Sequence, residues 1–475
     1  MKLKKVMALA MAGMMALSFA ACGGEAASTD NSQGTESKAE SKEASATSAE
    51  SSAEASAVEE SEYPDYSGET LSIMWWGSDT RHERTIKVIE MYEELTGIDI
   101  EYEYLDGSAY WTSFQAKMAG GELPDVFQMG NNWLTYYDTI YPLNDYIADG
   151  TIDTTNISEA MLATTTNQAN GDITGISNGT NARCFAYNPA IFDEAGVPYP
   201  TDTWTWDEFA DACRKITAKT GNPAITTLEW ETITYSTVTQ WKEGYNFFAM
   251  DGSDFAFNGD TEPIAYIMGL MTDLMDEGCI GDWGIQNEIG TNIEADWIAY
   301  GDAAMIMLSS NQFTALSKVA AESGIELELA TFPRVKADGQ SGMVVRSSQQ
   351  MSIYSGSEKK DIAANFLNFW VNNVEANKIL NCERGVSISS DVLSALQADS
   401  ELTDATTAKI YAFIDKVGSF PDAANSSPAE PAAAEEIKNV LKQTYYQGLT
   451  SGKFSSAQEA ADGFWADSQV IWKNY

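Results

Sequence analysis

The chain has 475 residues, of which 70 are acidic and 28 basic, so its formal net charge is −42 at pH 7. This charge argues against nucleic-acid binding, because phosphate recognition needs clustered lysine and arginine. The single histidine, His82, lies at a polar helix start, which argues against Ser-His-Asp or Cys-His catalysis and against sites with several histidine ligands. No nucleotide-binding glycine pattern occurs. We therefore predict no cofactor and no bound metal.

The N-terminus has the pattern of an export signal. Three lysines in the first five residues precede an apolar run over 6–21, which is too short for a comfortable membrane span. The run ends in Phe-Ala-Ala-Cys-Gly-Gly, which resembles a bacterial lipobox with Phe19 in place of the usual leucine. The sequence therefore predicts a signal peptide over 1–21 and lipidation of Cys22. The alternative is an ordinary secretory signal followed by a chance cysteine.

The segment that follows consists mainly of Ser, Ala, Glu, Thr and Lys. Between residues 25 and 62, Val58 is the only large aliphatic side chain. Such a segment cannot bury enough apolar surface to offset its conformational entropy. The sequence therefore predicts a disordered tether over 22–66. No further apolar run of about 18 residues occurs, so the rest of the chain is predicted to lie outside the membrane.

The part of the chain after the tether alternates between strand and helix patterns. Short apolar or alternating runs over 71–75, 98–104 and 125–129 predict strands. Apolar side chains at helical spacing over 80–96 and 109–119 predict two helices, each ended by glycine. The order strand–helix–strand–helix–strand predicts an α/β sheet with helices on its faces.

The remainder is predicted to be more helical. Helical periodicity predicts helices over 205–219, 262–277 and 359–381. The region 402–475 is predicted to contain helices separated by a Pro/Ala/Ser loop at 420–434.

Four cysteines remain besides Cys22. In an exported protein they allow three pairings if they form two disulfides, and buried unpaired thiols are an equally good interpretation. Their wide spacing predicts no metal site. They are Cys184, Cys213, Cys279 and Cys382.

Several short motifs follow one another over roughly residues 70–390. A Gly-Gly-Glu-Leu-Pro-Asp turn covers 120–125, and Ala-Tyr-Asn-Pro begins a segment over 186–197 that ends in Ala-Gly-Val. Thr-Trp-Thr-Trp-Asp-Glu covers 203–208, and Gly-Asp-Ala-Ala-Met covers 301–305. In this order the motifs resemble those of the family 1 extracellular solute-binding proteins, relatives of the maltodextrin-binding receptor.

The resemblance implies an α/β, two-lobed periplasmic-binding-protein-like (type II) fold with hinge crossovers between the lobes and a helical C-terminus. It implies that lobe one holds 67–180 and 331–383, and that lobe two holds 181–330 and 384–475. The crossovers would then lie near Gly175–Asn181, Ala330–Pro333 and Arg384–Val386.

The resemblance also implies a function. The chain would be a monomeric receptor that captures a carbohydrate, an oligosaccharide in the first instance, and delivers it to an ABC permease on other chains. With a lipid at Cys22 it would lie on the extracellular face of the bacterial cell membrane. Alternatives are a peptide, an amino acid or a polyamine as ligand. A more remote alternative is a secreted carbohydrate-active enzyme that uses a carboxylate pair such as Glu229 and Glu231.

A sugar site combines flat aromatic rings with side chains that hydrogen-bond hydroxyl groups. Candidates follow the carboxyl ends of strands, where open α/β sheets bind ligands, or occupy cleft positions of the family. Because neighbours in a strand face opposite sides, one of Trp75 and Trp76 is predicted to be core. Asn311 stands where relatives often carry a cleft tryptophan, which indicates a more polar subsite. The candidate ligand-binding residues are Trp75, Trp76, Asp79, Asn132, Trp133, Asn181, Arg183, Glu231, Trp241, Asn311 and Arg384.

Overall fold

The computed structural model describes residues 63–77, 79–290, 292–422 and 430–475. The predicted signal peptide, Cys22 and most of the predicted tether lie outside these residues. Within the described ranges, no helix combines the length and apolar character needed to cross a membrane.

Strands of the described residues form two sheets. They are β1 (Thr70–Trp76), β2 (Asp99–Leu105), β3 (Val126–Met129), β4 (Ile140–Tyr141), β5 (Ile176–Ser177), β6 (Thr180–Tyr187), β7 (Met305–Ser309), β8 (Glu328–Ala330), β9 (Val345–Ser347) and β10 (Gln350–Tyr354).

The α-helices pack around these sheets. They are α1 (Asp79–Thr96), α2 (Gly107–Gly120), α3 (Asn144–Ala148), α4 (Glu159–Ala163), α5 (Pro189–Ala195), α6 (Trp206–Thr220), α7 (Trp230–Trp241), α8 (Glu262–Asp276), α9 (Trp283–Ile289), α10 (Phe313–Glu322), α11 (Lys360–Asn372), α12 (Val374–Leu380), α13 (Ser390–Ala398), α14 (Ala405–Gly418), α15 (Ala434–Val440), α16 (Gln447–Thr450) and α17 (Ala457–Trp472). Shorter 3-10 helices cover Asn131–Thr139, Ile293–Ala295, Trp297–Tyr300 and Ser310–Gln312, and a π-helix covers Leu441–Tyr446.

The first sheet has the order β2-β1-β3-β10-β4, with β5 also paired to β10. The pairs β1–β2 and β1–β3 are parallel, as expected for strands joined by helical crossovers, whereas β10 is antiparallel to its neighbours. Side chains of β1 alternate between the two faces: Ile73 and Trp75 pack against α1 and α11, and Met74 packs against α2. We call this sheet and its helices lobe one.

The second sheet is built around β6, which pairs antiparallel with β7, β8 and β9. A large apolar core surrounds it and includes Phe185 of β6, Phe209 of α6 and Met268 of α8. Helix α6 begins with a capping box between Thr205 and Glu208, the start that the Thr-Trp-Thr-Trp-Asp-Glu motif predicts. We call this sheet and its helices lobe two.

The two sheets meet where the chain crosses between them. Ser177 of β5 pairs with Gln350 of β10, and three residues later Thr180 opens β6 and bridges Val386. The backbone N–H of Thr180 donates to the Val386 carbonyl at 2.7 Å, and the return bond measures 3.0 Å. We call these adjoining segments the hinge.

Two glycines, Gly179 and Gly385, allow the crossing segments of the hinge to touch. Their φ angles are 153° and 140°, which L side chains rarely adopt. A Cβ on Gly179 would stand 2.8 Å from the Gly385 carbonyl, and a Cβ on Gly385 would stand 2.8 Å from the Thr180 carbonyl. Only glycine fits this backbone-to-backbone contact without a shift.

The return crossing lies later in the chain than the predicted Ala330–Pro333. Phe332, Met343 and Val345 are buried in the core of lobe two, so the chain stays there until β9 ends and β10 begins. The reason is that the loop after β8 carries its own apolar side chains into that core.

The body also begins earlier than the predicted tether boundary at residue 66. The Tyr63 ring lies 5.6 Å from Phe369 in an edge-to-face contact, and the Tyr66 backbone N–H donates to the Thr96 carbonyl. Both tyrosines pack against the core of lobe one.

The helix predicted over 359–381 is two helices, α11 and α12. They are separated at Asn373, whose backbone is extended and whose side chain accepts a hydrogen bond from Ala376 N at 2.8 Å. Asparagine is favoured at the N-cap of a helix. Asn373 therefore ends the predicted helix as α11 and starts α12 as a new helix. The apolar spacing continues across the joint because both helices cover the same core.

The four described cysteines are free thiols, and none is bonded to another within the described ranges. Three are buried, and burial raises the pKa of the Cys184 and Cys213 thiols. The sequence was compatible with two disulfides or with unpaired thiols, and in the structure these four cysteines are unpaired.

Candidate ligand-binding site

Three partly exposed aromatic rings lie together at the carboxyl end of β1. The Trp76 ring lies 5.5 Å from the Trp111 ring of α2, and Trp111 stacks on Tyr136 at 5.5 Å with planes 15° apart. Tyr136 belongs to the 3-10 helix that follows β3. We call these three rings the aromatic wall. They offer flat apolar faces of the kind that pack against the CH groups of sugars.

Asn132 lies beside the aromatic wall because Gly130 leaves room for it. A Cβ on Gly130 would stand 3.1 Å from the Asn132 side-chain oxygen, 3.8 Å from the Trp76 ring and 4.0 Å from the Trp111 ring. The predicted site residues Trp76 and Asn132 are therefore brought together, with an amide next to stacked rings.

The other residues predicted for this part of the site lie elsewhere. Trp75 is fully buried on the opposite face of β1, and its indole N–H donates to His82 Nδ1 at 3.1 Å. Trp133 is buried in the apolar cluster beneath α2. Asp79 is exposed at the first position of α1. Trp75 and Trp133 therefore contribute to packing, and Asp79 remains open to a ligand.

A cavity of about 170 Å³ opens in lobe two next to the hinge. Charged side chains from three elements line it: Arg183 of β6, Glu231 of α7 and Arg346 of β9. Its apolar side includes Tyr235 and Phe247, which stack with ring centroids 3.9 Å apart. Hydrogen-bonding groups and aromatic faces thus share one enclosed space, which is the usual composition of a small-molecule site.

Arg183 is held in place by an ion pair. Its Nη1 donates to Glu229 at 2.5 Å, and both side chains are about a quarter exposed. Glu229 also accepts from the Thr232 hydroxyl at 2.9 Å. The buried Nε of Arg183 makes no hydrogen bond to any residue that the structure describes. Glu229 therefore orients the Arg183 guanidinium, and the Nε–H of Arg183 can donate a hydrogen bond to a ligand.

Glu231 lines the same cavity without an ion pair to any described residue. Burial raises the pKa of its carboxyl group, and the neighbouring charge of Glu229 adds to the rise. A carboxyl group of this kind can accept hydrogen bonds from hydroxyl groups when ionised and donate one when protonated.

Asn181 and Arg384 belong to the hinge itself. The Asn181 amide donates to the Arg384 carbonyl at 3.2 Å and accepts from Ser310 Oγ at 3.3 Å. Arg384 is 3% exposed and donates to Gln128 at 3.1 Å and Thr85 at 2.8 Å. The charge predicted at Arg384 for ligand contact is instead used inside the protein, because these partners enclose it.

The last two predicted residues are not part of the cavity lining. Asn311 is partly buried in the 3-10 helix after β7, next to Ser310. Trp241 ends α7 and packs against Tyr266 with ring centroids 5.6 Å apart. Within the described residues no cluster of three or more His, Cys, Asp or Glu could hold a metal ion.

The arrangement of two lobes, a hinge of crossing strands and a polar–aromatic site beside it agrees with a comparison of the sequence with known families. The model of the bacterial extracellular solute-binding proteins matches residues 79–376. The chain belongs to this family.

Solved solute-binding proteins share the fold over almost their whole length. A periplasmic solute-binding protein from Pectobacterium atrosepticum aligns with a TM-score of 0.74 and 23% identity, covering 86% of this chain and 99% of that one. A periplasmic oligogalacturonide-binding protein from Yersinia enterocolitica, in complex with saturated digalacturonic acid, aligns with a TM-score of 0.72 and 23% identity, covering 85% and 99%. The two-lobed type II fold implied by the motifs is thereby confirmed.

A curated relative matches more locally. The erythritol/L-threitol-binding protein of Mycolicibacterium smegmatis is 25% identical over 220 residues, which cover 41% of this chain and 45% of the relative. The chain thus matches less than half of the length of that solute-binding protein.

Several residues of the site were not predicted. Arg346 lies in a Val-Val-Arg-Ser-Ser run without a motif, and its place in lobe two depends on the late return crossing. Tyr235, Trp111 and Tyr136 fit the apolar spacing of buried helix faces, so nothing in the sequence separates them from core residues.

Proposed function

We propose that this solute-binding protein is a receptor that captures a carbohydrate, an oligosaccharide in the first instance, between its lobes. It acts as a monomer, delivers the sugar to an ABC permease formed by other chains, and is held on the extracellular face of the cell membrane by a lipid on Cys22. It performs no catalysis.

The observation that carries this proposal is the composition of the cavity in lobe two. Arg183, Glu231 and Arg346 present donors and acceptors opposite the stacked rings of Tyr235 and Phe247. Sugars combine hydroxyl groups with apolar CH faces, so they need both kinds of group at once. The aromatic wall in lobe one supplies further stacking surface.

The hinge supplies the means of response. A ligand that contacts both lobes binds the closed conformation more tightly than the open one. It therefore shifts the equilibrium towards the closed conformation by the difference between its binding free energies for the two conformations. The crossing segments at Thr180 and Val386 are hydrogen-bonded to each other, so they can bend as a unit while each lobe keeps its own core. The closed, loaded form is the state offered to the permease.

The names of similar proteins support a polyhydroxylated ligand. The curated relative binds the sugar alcohols erythritol and L-threitol, and one solved neighbour binds oligogalacturonides. The cavity lining mixes three basic side chains with three acidic ones, so it does not by itself separate a polyamine from a sugar, and the thermal-shift screen below includes both.

A thermal-shift screen tests the ligand class. Neutral and acidic sugars, sugar alcohols, peptides, amino acids and polyamines are added to the purified protein, and the melting temperature is recorded. A ligand that binds the folded state alone raises the melting temperature by mass action. Sugars should raise it in a concentration-dependent manner. A shift with a peptide or amino acid and with no sugar contradicts the carbohydrate proposal.

Two further measurements test the remaining parts. Cys22→Ala should release the protein from cells into the medium, and retention on the cells contradicts the lipid anchor.

Incubation of the purified protein with oligosaccharides should leave the oligosaccharides intact. This test is needed because burial raises the pKa of the Glu231 carboxyl group, and a glycosidase also uses a carboxyl group of raised pKa as its general acid. Release of new reducing ends contradicts a pure receptor.

A further inference from the structure

One cation in the cavity of lobe two makes no hydrogen bond and no ion pair with the residues that the structure describes. Arg346 lies in β9, where its backbone pairs with Asn181 of the hinge, and its side chain lines the cavity. Within the described residues, its guanidinium makes no hydrogen bond and no ion pair. It is partly buried.

The other cations of the cavity differ from Arg346 in this respect. Arg183 donates to Glu229 at 2.5 Å. Lys438 pairs with Glu430 at 2.7 Å and with Glu435 at 2.9 Å. The charges of Arg183 and Lys438 are therefore already balanced by carboxylates of the protein, although the Nε–H of Arg183 is left without a hydrogen bond to a described residue.

The charge of Arg346 persists although it is costly. Burial lowers the pKa of its guanidinium to about 10 and the charge of Arg183 lowers it further, while the charges of three nearby glutamates act in the opposite direction, so it remains protonated at neutral pH. An unpaired charge held away from bulk water is unfavourable, and an added anion of the right shape removes that penalty. The planar fork of arginine fits the two oxygens of a carboxylate better than it fits single hydroxyl groups.

The acids near Arg346 do not satisfy it. Glu229 is engaged by Arg183 and Thr232, and Glu430 is engaged by Lys438. Burial raises the pKa of Glu231, which weakens its negative charge towards an incoming anion. The negative net charge of the whole chain slows the approach of an anion, but salt screens that repulsion within about 8–10 Å, whereas a contact pair is formed directly.

We infer that Arg346 is the specificity-determining residue of the site and binds the carboxylate of an acidic sugar, such as a uronic acid. The inference rests on the proposed function and narrows it. In this arrangement the carboxylate pairs with Arg346, the hydroxyl groups meet Glu231 and the spare donor of Arg183, and a CH face of the ring packs on Tyr235 and Phe247. The buried hydroxyl of Tyr235 has no hydrogen-bond partner among the described residues and is a further group that a sugar can satisfy.

The test uses matched sugar pairs. Galacturonic acid and galactose, and glucuronic acid and glucose, differ only in a carboxylate or a hydroxymethyl group at C6; each pair is titrated calorimetrically as monosaccharide and as linked dimer. The acidic member should bind at least tenfold more tightly than its neutral partner. Arg346→Gln should abolish that preference, and Arg346→Lys, which keeps the charge without the fork, should retain part of it.

The control removes a positive charge from the same lobe outside the cavity. Lys318 is exposed on α10, so Lys318→Gln should leave the preference unchanged. Melting temperatures without ligand confirm that each variant folds.

Several outcomes of these titrations would contradict the role of Arg346. Equal affinity for acidic and neutral sugars, retention of the preference in Arg346→Gln, or failure of all acidic sugars to bind overturns the inference. If neutral sugars still bind, the receptor function stands. If only a peptide or amino acid binds, the carbohydrate function fails together with the inference.

Discussion

Gly179 and Gly385 lie backbone to backbone in the hinge, with the Gly385 carbonyl 2.8 Å from the point where a Cβ on Gly179 would stand. The contact lets two crossing segments run side by side, hydrogen-bonded at Thr180 and Val386.

Gly385→Ala should destabilise the protein. Its φ of 140° is strained for alanine, which costs about 1–3 kcal/mol, and the added Cβ would also meet the Thr180 carbonyl at 2.8 Å. Urea denaturation should show a lower midpoint. Gly418→Ala is the matched control, because Gly418 ends α14 with open space around it and alanine is favoured in helices. Equal effects of the two variants would contradict the role given to the hinge glycine.

Trp76→Leu should weaken sugar binding while the protein stays folded. Leucine keeps apolar volume next to Trp111 but removes the flat face, and ring contacts of this kind contribute about 0.5–1.5 kcal/mol. With any sugar found in the thermal-shift screen, calorimetry should show an affinity lowered about two- to tenfold. Trp241→Leu, outside the cavity lining, should leave affinity unchanged. A loss with Trp241→Leu and none with Trp76→Leu would move the site away from the aromatic wall.

Glu231→Gln should stabilise the protein at neutral pH. Burial raises the pKa of Glu231 in the folded chain above its value in the unfolded chain. Between those two pKa values the folded chain holds the proton and the unfolded chain has released it, so this group's contribution to stability falls as the pH rises. Glutamine cannot ionise, so the variant does not lose this contribution to the free energy of unfolding as the pH rises. Denaturation at pH 4.5 and pH 7.5 should show a larger gain at pH 7.5.

The control for this pH series is Glu322→Gln, which changes an exposed carboxyl group at the end of α10. A gain for Glu231→Gln that is larger at pH 4.5 than at pH 7.5 would have the wrong sign.

Asn373→Ala should cost about 0.5–2 kcal/mol, the usual cost of losing a helix cap. Asn373 also donates to the Tyr63 hydroxyl at 2.9 Å, so part of the loss belongs to that bond. Tyr63→Phe removes the same bond and keeps the cap, so a larger loss for Asn373→Ala than for Tyr63→Phe in urea denaturation reports the contribution of the cap. A larger loss for Tyr63→Phe than for Asn373→Ala would show that the joint between α11 and α12 does not depend on the cap.

The sequence predicted local structure well where one apolar period dominates. The helices at α1, α2, α6 and α8 agree with their predicted bounds to within about two residues, and the alternation in β1 placed one of Trp75 and Trp76 in the core. The joint at Asn373 was missed because the apolar spacing continues across it. The break between α11 and α12 is caused by the N-cap at Asn373, and a cap does not change the spacing of apolar residues from which the helix was predicted.

The site was predicted less completely, for a topological reason. Arg183 and Glu231 meet in the cavity as proposed residues, but Arg346 joins them through the late return of the chain into lobe one. Arg384 shows the opposite case. Its charge suggested a cleft residue, and only the tertiary partners Gln128 and Thr85 show that it is enclosed. Which charges are satisfied inside a fold depends on contacts distant in sequence.

The low reactivity of the described thiols makes the protein suitable for a fluorescent reporter, since burial raises the thiol pKa even of Cys382, which is only partly buried. Cys184 and Cys213 are fully buried, and their raised thiol pKa values keep them in the unreactive protonated form. In a variant that lacks Cys22, a cysteine introduced at position 136 on the aromatic wall would be the preferred attachment point for a maleimide dye. The emission of that dye would then follow ligand capture in real time, without a downstream transport assay.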